Sequence, residues 1–255
     1  MSTLSAPPER HLARWIQNAT DFACDSVAAM GGRVLKNERV AAADLGRPAG
    51  LFNSATLLRR PRRREFVATL ADLDRFYDGR APRVTWLWSA WPTPDLGPVG
   101  WQLGEGATLM VREPGEGLPA GLDLDVREVA DEGELRAWES TVAYAFPLEP
   151  AGRRHGRMID GRALADERLR LFVGWDGDRP VSTASSFTAH GVNQISYVAT
   201  VPEARGLGYG AAVTELAAAA VPSAPAMLLA RAAARPLCDR LGFTAVGRFT
   251  EWFRD

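Results

Sequence analysis

The sequence is poor in the residues that build metal centres and crosslinks. Its 255 residues include two cysteines, Cys24 and Cys238, and three histidines, His11, His155 and His190. Neither cysteine lies in a CxxC pair, which excludes a disulfide framework and a thiolate zinc site as organising features. No metal is expected. No run reaches the roughly 18 apolar residues needed to span a bilayer, and the longest helical candidate, Ala211 to Val221, is interrupted by Glu215. The first nine residues, with Pro7, Pro8 and Glu9, lack the basic start and apolar stretch of a secretory signal. A cytoplasmic protein that does not engage a membrane is the expectation. One-sided charge is also missing, since 30 basic residues against 31 acidic ones leave a net charge of -1. That balance argues against nucleic acid as a partner.

The composition, 46% hydrophobic and 24% charged, is that of a folded protein, and the length suffices for two domains with separate cores. A Pro- and Gly-rich seam, Arg112 to Gly121, reads as a linker, so the expected domains are residues 1–118 and 119–255. Helical spacing covers Pro8 to Met30 and Arg64 to Tyr77 in the first domain. Strand-like runs there are Ala55 to Leu58, Val84 to Trp88 and Ala107 to Val111. The basic run Arg59 to Arg64 reads as a solvated turn ahead of a helix. Trp86, Trp88 and Trp91 suit either core packing or a stacking platform.

The second domain has sharper signals. Leu122 to Val129 alternates as a strand, and Asp131 to Phe146 has helical spacing with acids in its first turn, which suit the helix dipole. A polar helix is expected over Arg157 to Glu167. Strands follow at Leu169 to Trp175, Pro180 to Ala189 and Val192 to Thr200, punctuated by turns at Asp176-Gly177-Asp178 and His190-Gly191. A helix from Gly208 to Ala220, a strand from Ala226 to Ala230, a helix from Arg235 to Leu241 and a closing strand to Phe253 complete the order βααβββαβαβ. That order predicts an α/β fold with a mixed β-sheet flanked by helices.

One segment carries chemistry. After the strand ending Tyr197-Val198-Ala199-Thr200, Pro202 stops the extended run, and Arg205-Gly206-Leu207-Gly208-Tyr209-Gly210 opens directly into an alanine-rich helix. First-turn amides of a helix have no intrahelical acceptor, and together with the dipole they form an anion site. Gly206, Gly208 and Gly210 let a diphosphate approach the main chain, and Arg205 offers charge-assisted hydrogen bonds. The spacing is neither the dinucleotide fingerprint nor a P-loop.

With Leu237-Cys238-Asp239-Arg240-Leu241-Gly242-Phe243 following about 30 residues later, the sequence resembles the GCN5-related N-acetyltransferase (GNAT) superfamily. VPEARGLGYG is similar to its acetyl-CoA signature and LCDRLGF to its later helix-to-strand segment. The resemblance covers residues 119 to 255. The first half resembles a degenerate copy, as in tandem-domain members, because it has a Val99-Gly100-Trp101 ending and no R-x-x-G-x-G turn. The resemblance implies two tandem GNAT-like domains, of which only the second binds acetyl-CoA. It implies pantetheine contacts from Val198, Ala199 and Thr200, and a diphosphate turn made by Arg205, Gly206, Leu207, Gly208, Tyr209 and Gly210. A strand amide would face the thioester carbonyl, and the acceptor, a small-molecule or exposed amine, would attack directly.

Two departures bear on catalysis. Cys238 stands where many members carry a tyrosine that protonates the leaving thiolate, so it reads either as a general acid or as a small buried side chain. Arg231 stands where an asparagine is frequent. The strand Val192 to Thr200 contains no acid, which leaves Ser196, Tyr197 and Glu139, with Tyr144 and His155, as candidates for accepting or relaying the amine proton. A non-catalytic acyl-CoA-binding or interaction module is the alternative reading. Oligomeric state is not encoded in any motif.

Overall fold

The computed structural model describes residues 7–46, 52–78, 84–115, 124–146, 159 and 161–254. The chain divides into two compact units, Met1–Leu109 with Val246–Asp255, and Met110–Ala245. The last ten residues therefore return to the first unit, which a cut at residue 118 does not express. Residues 116–121 of the expected linker lie outside the described residues.

The first unit contains α1 (Pro7–Ala29), β1 (Arg33–Lys36), β2 (Val40–Asp44), β3 (Ser54–Leu57), α2 (Arg63–Tyr77), β4 (Thr85–Ser89) and β5 (Gln102–Leu103). It also takes the start of β6 (Ala107–Arg112) and most of β12 (Thr244–Arg254). Its strands run in the order β1-β2-β3-β4-β12, with β5 on β12. All neighbours are antiparallel except β3 and β4, which α2 joins by a parallel crossover. Val40, Ala42, Leu57, Phe66, Leu73, Leu87 and Trp252 form the core. Sequence patterning missed β1, β2 and β5. The run Val40-Ala41-Ala42-Ala43 is buried at every position, so it shows no alternation, and alanine has little strand propensity. The basic run behaves as a solvated turn: Arg59 pairs with Glu65 at 3.0 Å, and Arg62, Arg63 and Arg64 are exposed. Trp86 is half-buried and packs on Phe253 at 5.3 Å between ring centroids, favouring packing over a platform.

The second unit contains β7 (Asp125–Glu128), α3 (Glu132–Ala145), β8 (Leu169–Asp176), β9 (Arg179–Ala189), β10 (Val192–Thr200), α4 (Tyr209–Ala219), β11 (Ala226–Ala230) and α5 (Arg235–Arg240). The strand order is β11-β10-β9-β8-β7. β7 pairs antiparallel with β8 although α3 lies between them in the chain, antiparallel hairpins join β8 to β9 and β9 to β10, and α4 carries the chain over to β11, parallel to β10. His190 and Gly191, with φ of 50° and 69°, make the two-residue turn between β9 and β10, the geometry that matches strand twist. Asp131 starts α3 by accepting from the amides of Gly133 and Glu134 at 2.7 and 2.9 Å. Within residues 157–167, Gly161–Ala165 forms one 3-10 turn instead of the expected polar helix; residues 157, 158 and 160 lie outside the described residues.

Val181 to Phe187 of β9 are buried without interruption, because helices α3 and α4 both pack on this strand. Small side chains, Ala211, Ala217 and Ala218, let α4 lie close to the sheet, where they join Phe172, Ala184 and Ile195 in one core. A buried charge anchors that helix. Arg112, expected in the linker, ends β6 and donates from Nη1 to Glu215 Oε1 of α4 and to the Leu241 carbonyl, both at 3.0 Å. Its guanidinium also lies 5.1 Å from the Phe243 ring centroid. The side chains of Arg112 and Glu215 are only 6% and 11% exposed, so each depends on the other for neutralisation. Arg112→Ala is expected to destabilise the protein by about 3–5 kcal/mol by stranding the carboxylate, whereas Arg112→Met combined with Glu215→Leu recovers most of that loss. Urea denaturation of the three proteins measures this; equal losses would contradict the pairing.

Candidate functional site

The site is built around an irregularity in β10. Opposite β9, Ser196 pairs with Ser185 and Ala199 pairs with Thr183, so three steps along β10 match two along β9. The extra residue is a bulge, which bends a strand and leaves part of its main chain outside the ladder. Tyr197, at the bulge, has φ of 51°, a left-handed conformation that is costly for a bulky residue. The surroundings hold it there. Its ring packs edge-on against Trp138 of α3 at 5.2 Å between centroids, and the Trp138 indole donates to the Ala184 carbonyl at 3.0 Å.

A row of β9 hydroxyls completes the support. Ser182 donates to the Ala199 carbonyl at 2.8 Å, Thr183 to the Tyr197 carbonyl at 3.0 Å, and Ser185 to the Ser196 carbonyl at 3.1 Å. Buried carbonyls need donors, and these hydroxyls supply them where the bulge breaks the ladder. Sequence reasoning missed these residues. The available signal was Ser182-Thr183-Ala184-Ser185-Ser186, a hydroxyl-rich run in a strand that both neighbours bury.

On its other edge β10 pairs with β11 only at Asn193 with Ala226 and Gln194 with Met227. Beyond Gln194 the two strands part, although β10 continues to Thr200 and β11 to Ala230. Val198 to Thr200 therefore lie beyond the register with β11, and the Ala199 and Thr200 carbonyls accept from Ser182 and Arg205. The strand leads into the turn before α4. Gly206 and Gly208 have φ of 82° and 87°, and Gly208 caps the helix in the left-handed region, a conformation open to glycine at little cost. Gly206 to Gly210 are exposed or half-buried, and their amides donate no hydrogen bond within the described residues. The first helical amides with acceptors are those of Ala211 and Ala212, both to the Gly208 carbonyl. Gly210 packs more closely: a Cβ there would lie 3.4 Å from Thr200 Oγ1 and 3.6 Å from Leu237.

Arg205 was expected to reach outward. Two of its donors are instead engaged, Nε with the Thr200 carbonyl at 3.2 Å and Nη2 with the Ala145 carbonyl at 2.9 Å. It braces the turn between the end of β10 and the last turn of α3, where a cation also complements the helix dipole. The far end of α4 is held by Asn193 of β10, whose Nδ2 donates to the Ala217 carbonyl at 2.8 Å.

The candidates for proton transfer occupy distinct surroundings. Tyr197 is buried, and burial pushes its phenol above the ordinary value; it packs rather than titrates. Glu139 is 4% exposed, with Oε1 accepting from the Ile159 amide at 2.7 Å, so it ties α3 to the segment after it. Ser196 is half-buried and accepts from Gln194 Nε2 at 2.9 Å, which leaves its own proton to donate. Tyr144 is 61% exposed. His155 lies outside the described residues, and His190 is at the far hairpin tip. Cys238 is 5% exposed in the core that includes Ala211 and Ala230, with Val198 packed against it. Arg231 is half-buried just beyond β11. Among the described residues no group of three or more potential metal ligands gathers, and no helix is long and apolar enough to cross a membrane.

Solved structures with the same architecture exist. The chain is similar to a GCN5-related N-acetyltransferase from Kribbella flavida, at 16% identity and a TM-score of 0.70, with 95% of each chain covered. The chain has the GNAT fold. A GNAT-family acetyltransferase from Novosphingobium aromaticivorans is similar at 16% identity and a TM-score of 0.60, covering 92% of this chain and 95% of that one. A tandem GNAT protein from the clavulanic acid biosynthesis pathway gives 16% identity and a TM-score of 0.51, covering 87% of this chain and 78% of that one. No family model matches the sequence, and no curated protein is similar to it by sequence. Within the GNAT fold, the bulged β10, its parting from β11 and the turn before α4 lie in one continuous stretch of chain.

Burial, and then the nearby charge of Asp239, push the Cys238 thiol up to about 11. A raised thiol pKa stabilises the fold fully below the ordinary thiol value, and this contribution is lost as pH rises toward about 11. The stability difference between wild type and Cys238→Ala is therefore expected to shrink over that window in urea titrations. A pH-independent difference would mean that the thiol is not desolvated.

Proposed function

We propose that the chain is an acetyl-CoA-dependent N-acetyltransferase that delivers the acetyl group to an amine, on a small molecule or exposed on a larger acceptor. One observation carries the reading. The unpartnered amides of Gly206 to Gly210 directly follow a strand that continues six residues past the end of its register with the neighbouring β11. Helix-start amides suit a diphosphate, and a gap bordered by strand amides and carbonyls suits an amide-bearing arm. The residues present therefore fit coenzyme A, which supplies an acetyl thioester when bound. The main chain of Gly206 to Gly210 would hold the diphosphate, with Leu207 and Tyr209 flanking it, and Val198, Ala199 and Thr200 would pair with the pantetheine. Arg205 shapes this cradle from behind.

A strand amide in the gap would polarise the acyl carbonyl, and fixed donors of that kind are effective because they need no reorganisation as charge develops. The amine would attack directly, with no covalent enzyme intermediate. Tyr197 and Glu139 are committed to packing and to the Ile159 amide, so Ser196 is the candidate hydroxyl for positioning the amine or its water. Cys238 remains protonated at neutral pH.

The first unit would be a second copy of the same plan without the cradle. Its β3–α2 turn contains no glycine between Leu58 and Arg64, and β3 pairs with β4 at three of its four residues, leaving no gap like that beside β10. A binding-only module is the second reading, favoured by the absence of any carboxylate on β10.

Calorimetric titration with acetyl-CoA is expected to show saturable binding. Gly208→Ala is expected to weaken it about tenfold or more, because φ of 87° is strained for any side chain. Equal affinity would remove the cradle from the account. Release of free thiol from acetyl-CoA across a panel of amines separates the readings: turnover with any amine excludes the binding-only module, and saturable binding without turnover favours it.

A further inference from the structure

We propose that the surface around the β3–α2 turn of the first unit is a docking site for a short acidic peptide segment of a partner protein. It stands apart from the acetyltransferase reading and does not depend on it. Arg60, Arg62, Arg63 and Arg64 are all exposed, and none has an ion pair among the described residues. The carboxylates of the neighbouring segments are already taken. Glu65 Oε2 lies 3.0 Å from Arg59 Nη1 and also accepts from the Arg62 amide, and Glu38 Oε1 lies 3.6 Å from Arg59 Nη2. Asp72 lies 2.5 Å from both Arg39 and Arg75. Three inner arginines thus consume the local acids, and four outer ones keep their charge.

This charge works against the element that carries it. Arg62, Arg63 and Arg64 occupy the N-cap and the first two helical positions of α2, where the helix dipole favours acids and disfavours cations. Glu65 is the one acid of the first turn, and the Arg59 guanidinium, followed by the Arg62 amide, holds its carboxyl below the usual carboxylate range. A cluster that breaks a local rule with no compensating contact in its own fold points to a role outside the fold. Arginine forks suit carboxylates and phosphates alike, and two observations choose the peptide. Removing these seven arginines and three acids from the chain's 30 basic and 31 acidic residues leaves 23 against 28. The rest of the protein therefore repels a partner charged over its whole length, such as nucleic acid or an anionic bilayer. Val67, 67% exposed, follows Arg63 by one turn of α2, an apolar contact that a peptide side chain satisfies and a phosphate chain does not. With Arg62 extended and the helix starting at Arg63, Arg60 to Arg64 span on the order of 10 Å. About four residues of extended acidic chain cover that distance.

Fluorescence anisotropy of a labelled peptide bearing a run of glutamates beside one leucine, titrated with the full-length protein, is the test. Saturable binding is expected, weakening as salt is raised. A variant combining Arg60→Gln, Arg63→Gln and Arg64→Gln is expected to bind at least about tenfold more weakly and with less salt dependence. Val67→Ser is expected to lose about threefold with the salt dependence unchanged. Arg136→Gln, which removes an exposed arginine of the second unit, is expected to bind as wild type does. Because the replaced residues include Arg63 and Arg64, which oppose the helix dipole, the triple variant is expected to resist urea at least as well as wild type.

Folded wild type that does not bind the peptide would overturn the proposal, as would equal affinity in the triple variant. Tighter binding of single-stranded RNA or of phosphatidylserine vesicles than of the peptide, lost in the same variant, would assign the patch to that other class of partner. Displacement of the peptide by inorganic phosphate at matched ionic strength would make it a site for free anions. A triple variant less stable than wild type would mean that the arginines serve the fold.

Discussion

One extra residue in a strand governs the second unit. Without the bulge at Tyr197 and Val198, β10 would remain in continuous register with β9 and its main chain would be spent on the sheet. With it, Tyr197 and Val198 stand outside the register with β9, and the register with β11 ends at Gln194. The conformation at Tyr197 is unfavourable by itself, of the order of 1–3 kcal/mol for a non-glycine residue in such a region. Trp138 and three β9 hydroxyls surround it with contacts that exist only when the strand is bent. Strain is retained because its neighbours over-determine it.

The same economy governs the turn that follows. Glycines 206 and 208 turn the main chain outward, and Arg205, the charged residue of the motif, points back to brace Thr200 and Ala145. The amides of that turn do not titrate, and their geometry is set by a helix that is itself secured at its middle and its last turn. Asn193 holds the last turn of α4 to β10, and the buried Arg112–Glu215 pair ties its middle to the end of β6. Charge in this unit thus serves to lock the scaffold, and the candidate ligand contacts are left to neutral main chain.

Much of this architecture was legible in the sequence, and the exceptions have physical causes. Strands with alternation or dense β-branching, such as β8 and β10, and helices with a marked start, such as α3 at Asp131, follow the expected boundaries within a few residues. β2 was hidden because all five of its residues are buried and three are alanine. The glycine turn before α4 was visible because a helix start rich in glycine has a spacing in one dimension. The bulge was not, since its position depends on pairing between strands, and neither Tyr197 nor Thr183 differs in type from an ordinary strand residue. Arg112 was read as linker because a proline follows two positions later; its burial depends on Glu215, more than one hundred residues away. Cys238 was singled out by its place in the later motif, while its packing could be read only from the fold.

The central claim is that the amides of Gly206 to Gly210 and the released main chain of β10 face one ligand. Two-dimensional 1H–15N correlation spectra recorded while coenzyme A is added test it residue by residue. The largest shifts are predicted at the amides of Gly206, Gly208, Gly210 and Val198, saturating together with one dissociation constant. Shifts confined to other parts of the chain, or saturation of the glycine turn without any response from β10, would contradict it.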